Sequence, residues 1–261
     1  MSDSLVTYEL EGSIALIGLN RADKRNAISD AVITELRSAV LRAHEEADVA
    51  VLFGHGNNFC AGLDLAEALQ RALGKIPAAR KRRRHTWHEV FDQIERGPIP
   101  FVAALSGAVV GGGLELATAA HIRVCDDTAF FGLPEGQRGI FVGGGGTVRI
   151  QRIVGTTVMM DMMLTGRLLS PTEGLQEHVV RYVVPAGQAL EKAKEIAARI
   201  AQNTLDTNWK IINVLPRIHD MSHDDGLFVE QLTSAMTPPP EVEQRLRDFI
   251  DGKAKPLKSP K

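Results

Sequence analysis

Two glutamates stand where the chain otherwise uses only small or apolar residues. Glu115 follows Gly111, Gly112, Gly113 and Leu114 and opens an apolar run; Glu135 follows Phe130, Phe131, Gly132, Leu133 and Pro134. A carboxylate in such company is costly unless it is partnered or used, and a pair of carboxyl groups suits the movement of protons on and off a substrate. The three glycines lie between a predicted strand and a predicted helix. Without a Cβ, a turn of this kind lets backbone N–H groups approach a ligand, and a helix N-terminus adds partial positive charge. A phosphate would suit such a turn. A P-loop, however, ends in Gly-Lys-Ser/Thr, and "GAVVGGG" does not have GxGxxG spacing. The second glycine cluster, residues 143–146, also lacks the P-loop lysine. Taken alone, the triplet fits close helix–strand packing equally well.

An earlier turn changes that balance. "GHGNNFCAGLDL" follows the apolar run "VAVLFG" and ends in Cys60, Ala61, Gly62, Leu63 and Asp64. Two small-residue turns, each after a strand, can aim one backbone N–H apiece at a single oxygen and form an oxyanion hole. Together with two carboxyl groups, this suits proton transfer beside a carbonyl that becomes an enolate.

The elements that must hold these groups alternate between apolar strands and amphipathic helices. Strands are predicted at "SIALIGLN" from Ser13, at "VAVLFG" from Val49, at "PIPFVAALSG", at "HIRVCDD" and at "VVRYVV" from Val179. Val32, Ile33, Leu36, Ala39, Val40 and Ala43 repeat at helical spacing behind Ser29 as N-cap. Ser170, Pro171, Thr172 and Glu173 supply an N-cap, a Pro at N1 and a Glu at N3. After about Pro185 the pattern is helical, with interruptions expected at Pro216 and at Pro238, Pro239 and Pro240. The order predicts an α/β core followed by a helical C-terminal third.

Composition excludes several classes. The 261 residues are 44% hydrophobic and 24% charged, with net charge −2, which argues against a wholly basic nucleic-acid binder. The two cysteines, Cys60 and Cys125, form no CxxC pair and fit a reducing compartment rather than a disulfide scaffold. No stretch approaches the ~18 apolar residues of a membrane span, and the N-terminal residues show no secretion signal, so a cytoplasmic location is expected.

"FCAGLDL", "GAVVGGGLELA" and "FGLPEGQRGI" resemble the paired signatures of the crotonase, or enoyl-CoA hydratase/isomerase, superfamily. "LNRADKRNAIS" is similar to its N-terminal motif, and "IVGTTVMMDMMLTGRLLSPTEG" to the stretch ahead of its helical region. The resemblance implies an α/β fold: a crotonase-like spiral of repeated ββα units with the acyl-CoA site over residues 1–190. A helical trimerisation region over residues 191–261 would follow, in a homotrimer or dimer of trimers. It implies Leu63 and Gly112 as oxyanion donors and Glu115 and Glu135 as catalytic glutamates. Lys24, Arg25, Ala27, Ala61 and Asp64 would bind coenzyme A, and Phe249 and Lys253 would reach a neighbouring subunit's coenzyme A. Coenzyme A would enter as part of the substrate, with no separate cofactor, no metal, and no membrane or nucleic-acid partner. Retention of both glutamates favours hydration of a 2-enoyl-CoA. Double-bond isomerisation and hydration with retro-aldol cleavage are the rivals within the superfamily.

The sequence departs from the family pattern in places. Gly136, Gln137 and Arg138 replace an apolar continuation after Glu135, and Val142-Gly143 replaces a common Pro-Gly turn. His121 stands where an aspartate is common and is expected to be a structural hydrogen-bonding residue. Cys60 is expected only to pack. Trp87, Val90, Phe91 and Ile94 are expected in the core, with pocket lining as a secondary role. The basic run at residues 80–84 fits a solvated face, electrostatic steering of coenzyme A phosphates, or, as a rival of another class, RNA binding.

Overall fold

The computed structural model describes residues 4–75, 86–236 and 240–253; the basic run at 80–84 and the prolines at 238 and 239 lie outside the described residues. The chain divides into two units, Met1–Ala201 and Gln202–Lys261.

The first unit is built on a six-stranded sheet. In spatial order it holds β1 (Val6–Glu11), β2 (Ile14–Leu19), β3 (Val49–Gly54), β4 (Phe101–Leu105), β6 (Ile122–Asp126) and β9 (Tyr182–Val184). Only the β1–β2 pair is antiparallel. A second, three-stranded sheet holds β5 (Ala108–Val110), β7 (Phe130–Gly132) and β8 (Leu168–Leu169). The chain passes from the large sheet to the small one in successive windings: β4 leads to β5, and β6 leads to β7. An isolated parallel bridge from Cys60 to Val109 lets the segment after β3 make the same passage.

The inner strands β2, β3 and β4 are apolar on both faces because both are covered. Ala15, Ile17, Leu19, Ala50, Leu52, Phe101, Ala103 and Leu105 join one core, with α1 (Asp30–Glu46) and α3 (Thr86–Arg96). Their neighbours Leu16, Val49, Val51, Val102, Ala104 and Val124 face the opposite way, onto α7 (Ala189–Ile200). α7, which begins at Ala189, is the second cover of the sheet, and the first unit runs to Ala201.

The helix signals hold locally. Ser29 Oγ accepts from the Val32 N–H, and the six residues predicted at helical spacing are the buried face of α1. Ser170 and Glu173 form a complete capping box on α6 (Pro171–Gln176). The remaining helices of this unit are α2 (Leu65–Ala72), the short α4 (Gly112–Ala117) and α5 (Gly146–Thr165), which is broken at Gly155. The second unit holds α8 (Leu205–His219), α9 (His223–Ser234) and α10 (Pro240–Ile250). The interruption expected at Pro216 does not occur: the proline lies inside α8, one turn from its end, and the helix runs on to His219 although a proline there cannot donate back to the Ile212 carbonyl. Among the described residues no helix is long and apolar enough to cross a membrane.

Candidate active site

The turn after β3 is fixed on both edges. On one side, Cys60 N–H donates to the Ala108 carbonyl at 2.9 Å, and the Cys60 carbonyl accepts from Val110 N–H at 3.1 Å. On the other, Ala61 N–H donates to Arg25, Ile28 N–H to Gly62 and Asp64 N–H to Ile28, at 2.9, 2.7 and 3.0 Å. Cys60 does more than the packing expected of it. Its thiol, pushed up to about 12 by burial, donates to the Asn26 carbonyl and accepts from Gly62 N–H. Asp64 accepts from the N–H groups of Ala66 and Glu67 as the cap of α2 and pairs with Arg21 at 3.0 Å.

The glycine triplet serves packing and access together. Gly111 adopts φ 55°, a left-handed value that a side chain disfavours. A Cβ at Gly113 would lie 2.2 Å from the Cys60 carbonyl oxygen, so only glycine lets α4 approach the earlier turn. A Cβ at Gly112 would lie 2.6 Å from Cζ3 of Trp87. The two turns meet closely, since a Cβ at Gly62 would stand 3.0 Å from the Gly112 nitrogen. Among the described residues, no acceptor takes the N–H of Leu63 or of Gly112.

Both glutamates are buried, and their environments differ. Glu115, on α4, accepts through Oε1 from Gly144 N–H at 2.7 Å and Gly146 N–H at 2.8 Å. These bonds give the second glycine cluster its purpose. Glu135 precedes a single 3₁₀ turn, Gly136–Arg138, and its Oε2 is buried without a hydrogen-bond partner among the described residues. Burial first, and the nearby Glu115 charge second, raise the Glu135 carboxyl above its ordinary value. Two carboxyl groups held so differently suit different roles, one taking a proton and one delivering it.

The raised value has a consequence for stability. The folded state holds the Glu135 proton more tightly than the unfolded chain, so that contribution is fully present below about pH 4.5 and is lost as pH rises through the folded value. Glu135→Gln avoids the buried charge. Its melting temperature relative to the parent should therefore increase with pH over this window and then level off. A difference that stays flat across the window in paired thermal melts would contradict the burial argument.

Arg149 secures the glycine turn from behind. It is buried, donates through Nη1 to the Gly144 carbonyl at 3.1 Å and through Nε to Glu95 at 2.8 Å, and pairs with Asp92 through Nη2. Since Asp92 and Glu95 lie on α3, that helix and the turn holding Glu115 are tied together. His121 is structural: burial pushes its pKa down to about 4, Nδ1 accepts from Phe101 N–H, and Nε2 bonds the Glu95 carbonyl.

A cavity of about 230 Å³ brings Leu63, Gly112, Glu115 and Glu135 together, with Trp87 and residues 140–144 as further wall. Val90, Phe91 and Ile94 are core residues, whereas Trp87 faces the cavity. The replacements after Glu135 fit their setting, because a Cβ at Gly136 would stand 2.5 Å from the Met163 carbonyl oxygen. Lys24, Arg25, Ala27, Ala61 and Asp64 do not line this cavity. Lys24, which ends a 3₁₀ turn, and Arg25, its C-cap, are exposed, and Ala27 and Ala61 are half-buried. Phe249 and Lys253 are exposed in the second unit, where Lys253 pairs with Asp251 at 2.9 Å. The sequence reading missed Asp30 and Arg71, which line the cavity. A larger depression of about 770 Å³, around His55, Ser106 and Asp126, holds neither glutamate and neither free N–H.

Two sheets wound together, with paired turns and two carboxyl groups at one cavity, define a mixed α/β fold of crotonase type followed by C-terminal helices. The family model for enoyl-CoA hydratase/isomerase matches residues 9–220, and the chain belongs to that family. It is 41% identical to a Rhodopseudomonas palustris protein assigned as an enoyl-CoA hydratase, with 96% of each chain covered and a TM-score of 0.88. It is 36% identical over 209 residues to an enoyl-CoA isomerase/hydratase of Zymoseptoria tritici, covering 73% of this chain and 67% of that one. Over 169 residues, 64% of this chain, it is 40% identical to the fatty acid oxidation complex subunit alpha of Shewanella frigidimarina, and spans only 23% of that subunit's length.

Proposed function

We propose that the protein is an enoyl-CoA hydratase that adds water across the 2,3 double bond of a 2-enoyl-CoA. The reading is carried by one observation: two unpaired peptide N–H groups and two differently held glutamates belong to a single cavity. The N–H groups of Leu63 and Gly112 hold the thioester oxygen, each worth about 3–4 kcal/mol when charge develops there. Glu115 takes a proton from water as its oxygen bonds C3, and the double-bond electrons move toward the thioester oxygen. As they return, C2 takes the proton of the Glu135 carboxyl. Glu115 is then left with the proton taken from water and Glu135 without the one given to C2, and one net proton transfer from Glu115 to Glu135 restores the starting state. Isomerisation needs no activated water, so it gives Glu115 less to do.

Lys24, Arg25, Ala27, Ala61 and Asp64 serve the coenzyme A portion in this account, through their neighbourhood rather than the acyl cavity. Phe249 and Lys253 serve it from a neighbouring subunit of a homotrimer or dimer of trimers. Similarity to a fatty acid oxidation subunit supports an acyl-chain substrate.

The pH profile tests the division of labour. With Glu135 as the acid, kcat/KM for hydration should fall as pH rises through its raised value, and Glu135→Gln should lose that basic limb along with most of the rate. A basic limb that is unchanged in the variant would remove Glu135 as the proton donor.

A further inference from the structure

The cavity wall is not uniformly apolar. Leu63, Trp87, Ile140 and Phe141 form much of it, but Asp30 and Arg71 contribute polar surface. Arg71 Nη2 lies 2.9 Å from Asp30 Oδ2 and 2.6 Å from Glu67 Oε1, so both carboxylates gather on one corner of the guanidinium. Its Nε is different: among the described residues that N–H has no hydrogen-bond partner, and it is out of reach of water. A donor left in this state costs the fold its full desolvation, which an acceptor brought by a ligand would recover. Sites that hydrogen-bond a substrate oxygen discriminate strongly against the analogue that lacks it.

We propose that Arg71 is a specificity-determining residue for an acyl group carrying a neutral oxygen (a hydroxyl, ether or ketone) on the chain beyond C3. This rests on the acyl-CoA reading of the same cavity. Two carboxylates already meet the guanidinium charge, so a neutral acceptor suits Nε better than a third carboxylate. Arg71 lies toward the end of α2, whose cap Asp64 directly follows Leu63. At 1.5 Å per residue the six steps from Leu65 to Arg71 span roughly 9 Å, which places the Arg71 backbone well away from the thioester end. Arg71 lines the cavity, and the proposal requires its side chain to turn so that Nε meets the ligand there.

The test is calorimetric binding of saturated acyl-CoA thioesters, which cannot be hydrated. Chains of equal length are compared, one plain and the others with a hydroxyl or keto oxygen moved stepwise beyond C3. At one position the parent should bind the oxygenated chain roughly 10- to 100-fold more tightly than the plain one. Arg71→Lys keeps a cation for Asp30 and Glu67 but removes Nε–H, and should bring this ratio to about one; Arg71→Met should do the same. Equal affinity at every position would overturn the subsite and leave the hydratase reading standing. A ratio that survives in both variants, or a preference for a carboxylate-ended chain, would also overturn it. Failure of every thioester to bind would remove the acyl-CoA reading and the subsite together.

Discussion

Replacing Glu115 by Gln will slow hydration of a 2-enoyl-CoA by about 10²–10⁴-fold, and Glu135→Gln will cost a similar amount. Gln is nearly isosteric with Glu, and its side-chain oxygen can still accept from the N–H groups of Gly144 and Gly146. The variants should therefore fold and bind acyl-CoA while losing the ability to take or give a proton. Because both groups act on one water addition, the losses will not add, and the double variant should be little worse than the poorer single one. An isomerase would respond unequally, with Glu135→Gln severe and Glu115→Gln mild. Rates of both reactions for the two single variants and the double, with binding measured separately, distinguish these patterns.

Gly112→Val should cut turnover by about 10²–10³-fold, the scale of losing one oxyanion donor. The variant retains its N–H, so the loss comes from position. Its Cβ would lie 2.6 Å from Cζ3 and 3.0 Å from Cη2 of Trp87. That indole packs beside Phe91, with ring centroids 5.7 Å apart, and Phe91 is fully buried. Either Trp87 moves into the cavity or the turn moves off the oxygen. Turnover is to be measured on variant shown by scattering to keep the parent's assembly. Near-parental turnover would remove Gly112 from the site. If Trp87 is the obstacle, Gly112→Ala should regain part of its lost activity when Trp87→Leu is added.

Much of this site is legible before folding. Ser29 and six apolar residues at helical spacing specify α1, because cap and periodicity are local properties. The two small-residue turns and two isolated glutamates point to one reaction centre, and both turns do reach the same cavity. The small sheet was less legible. Its strands of two or three residues have no periodicity to read, and "GAVVGGG" shows its glycines before its strand. The function of Gly144 and Gly146 depends on long-range contact with Glu115, which no local pattern encodes. Arg71 was hidden for a similar reason. A lone arginine on an amphipathic helix reads as solvated surface until the cavity beside it is seen.

The most direct test of hydration is the mass of the product formed from a 2-enoyl-CoA by the purified protein in heavy-oxygen water. The account predicts a product heavier by one labelled water, with the label on C3, and loss of that product in Glu115→Gln. A product of unchanged mass with a migrated double bond, a cleaved acyl chain, or undiminished water addition by Glu115→Gln would contradict it.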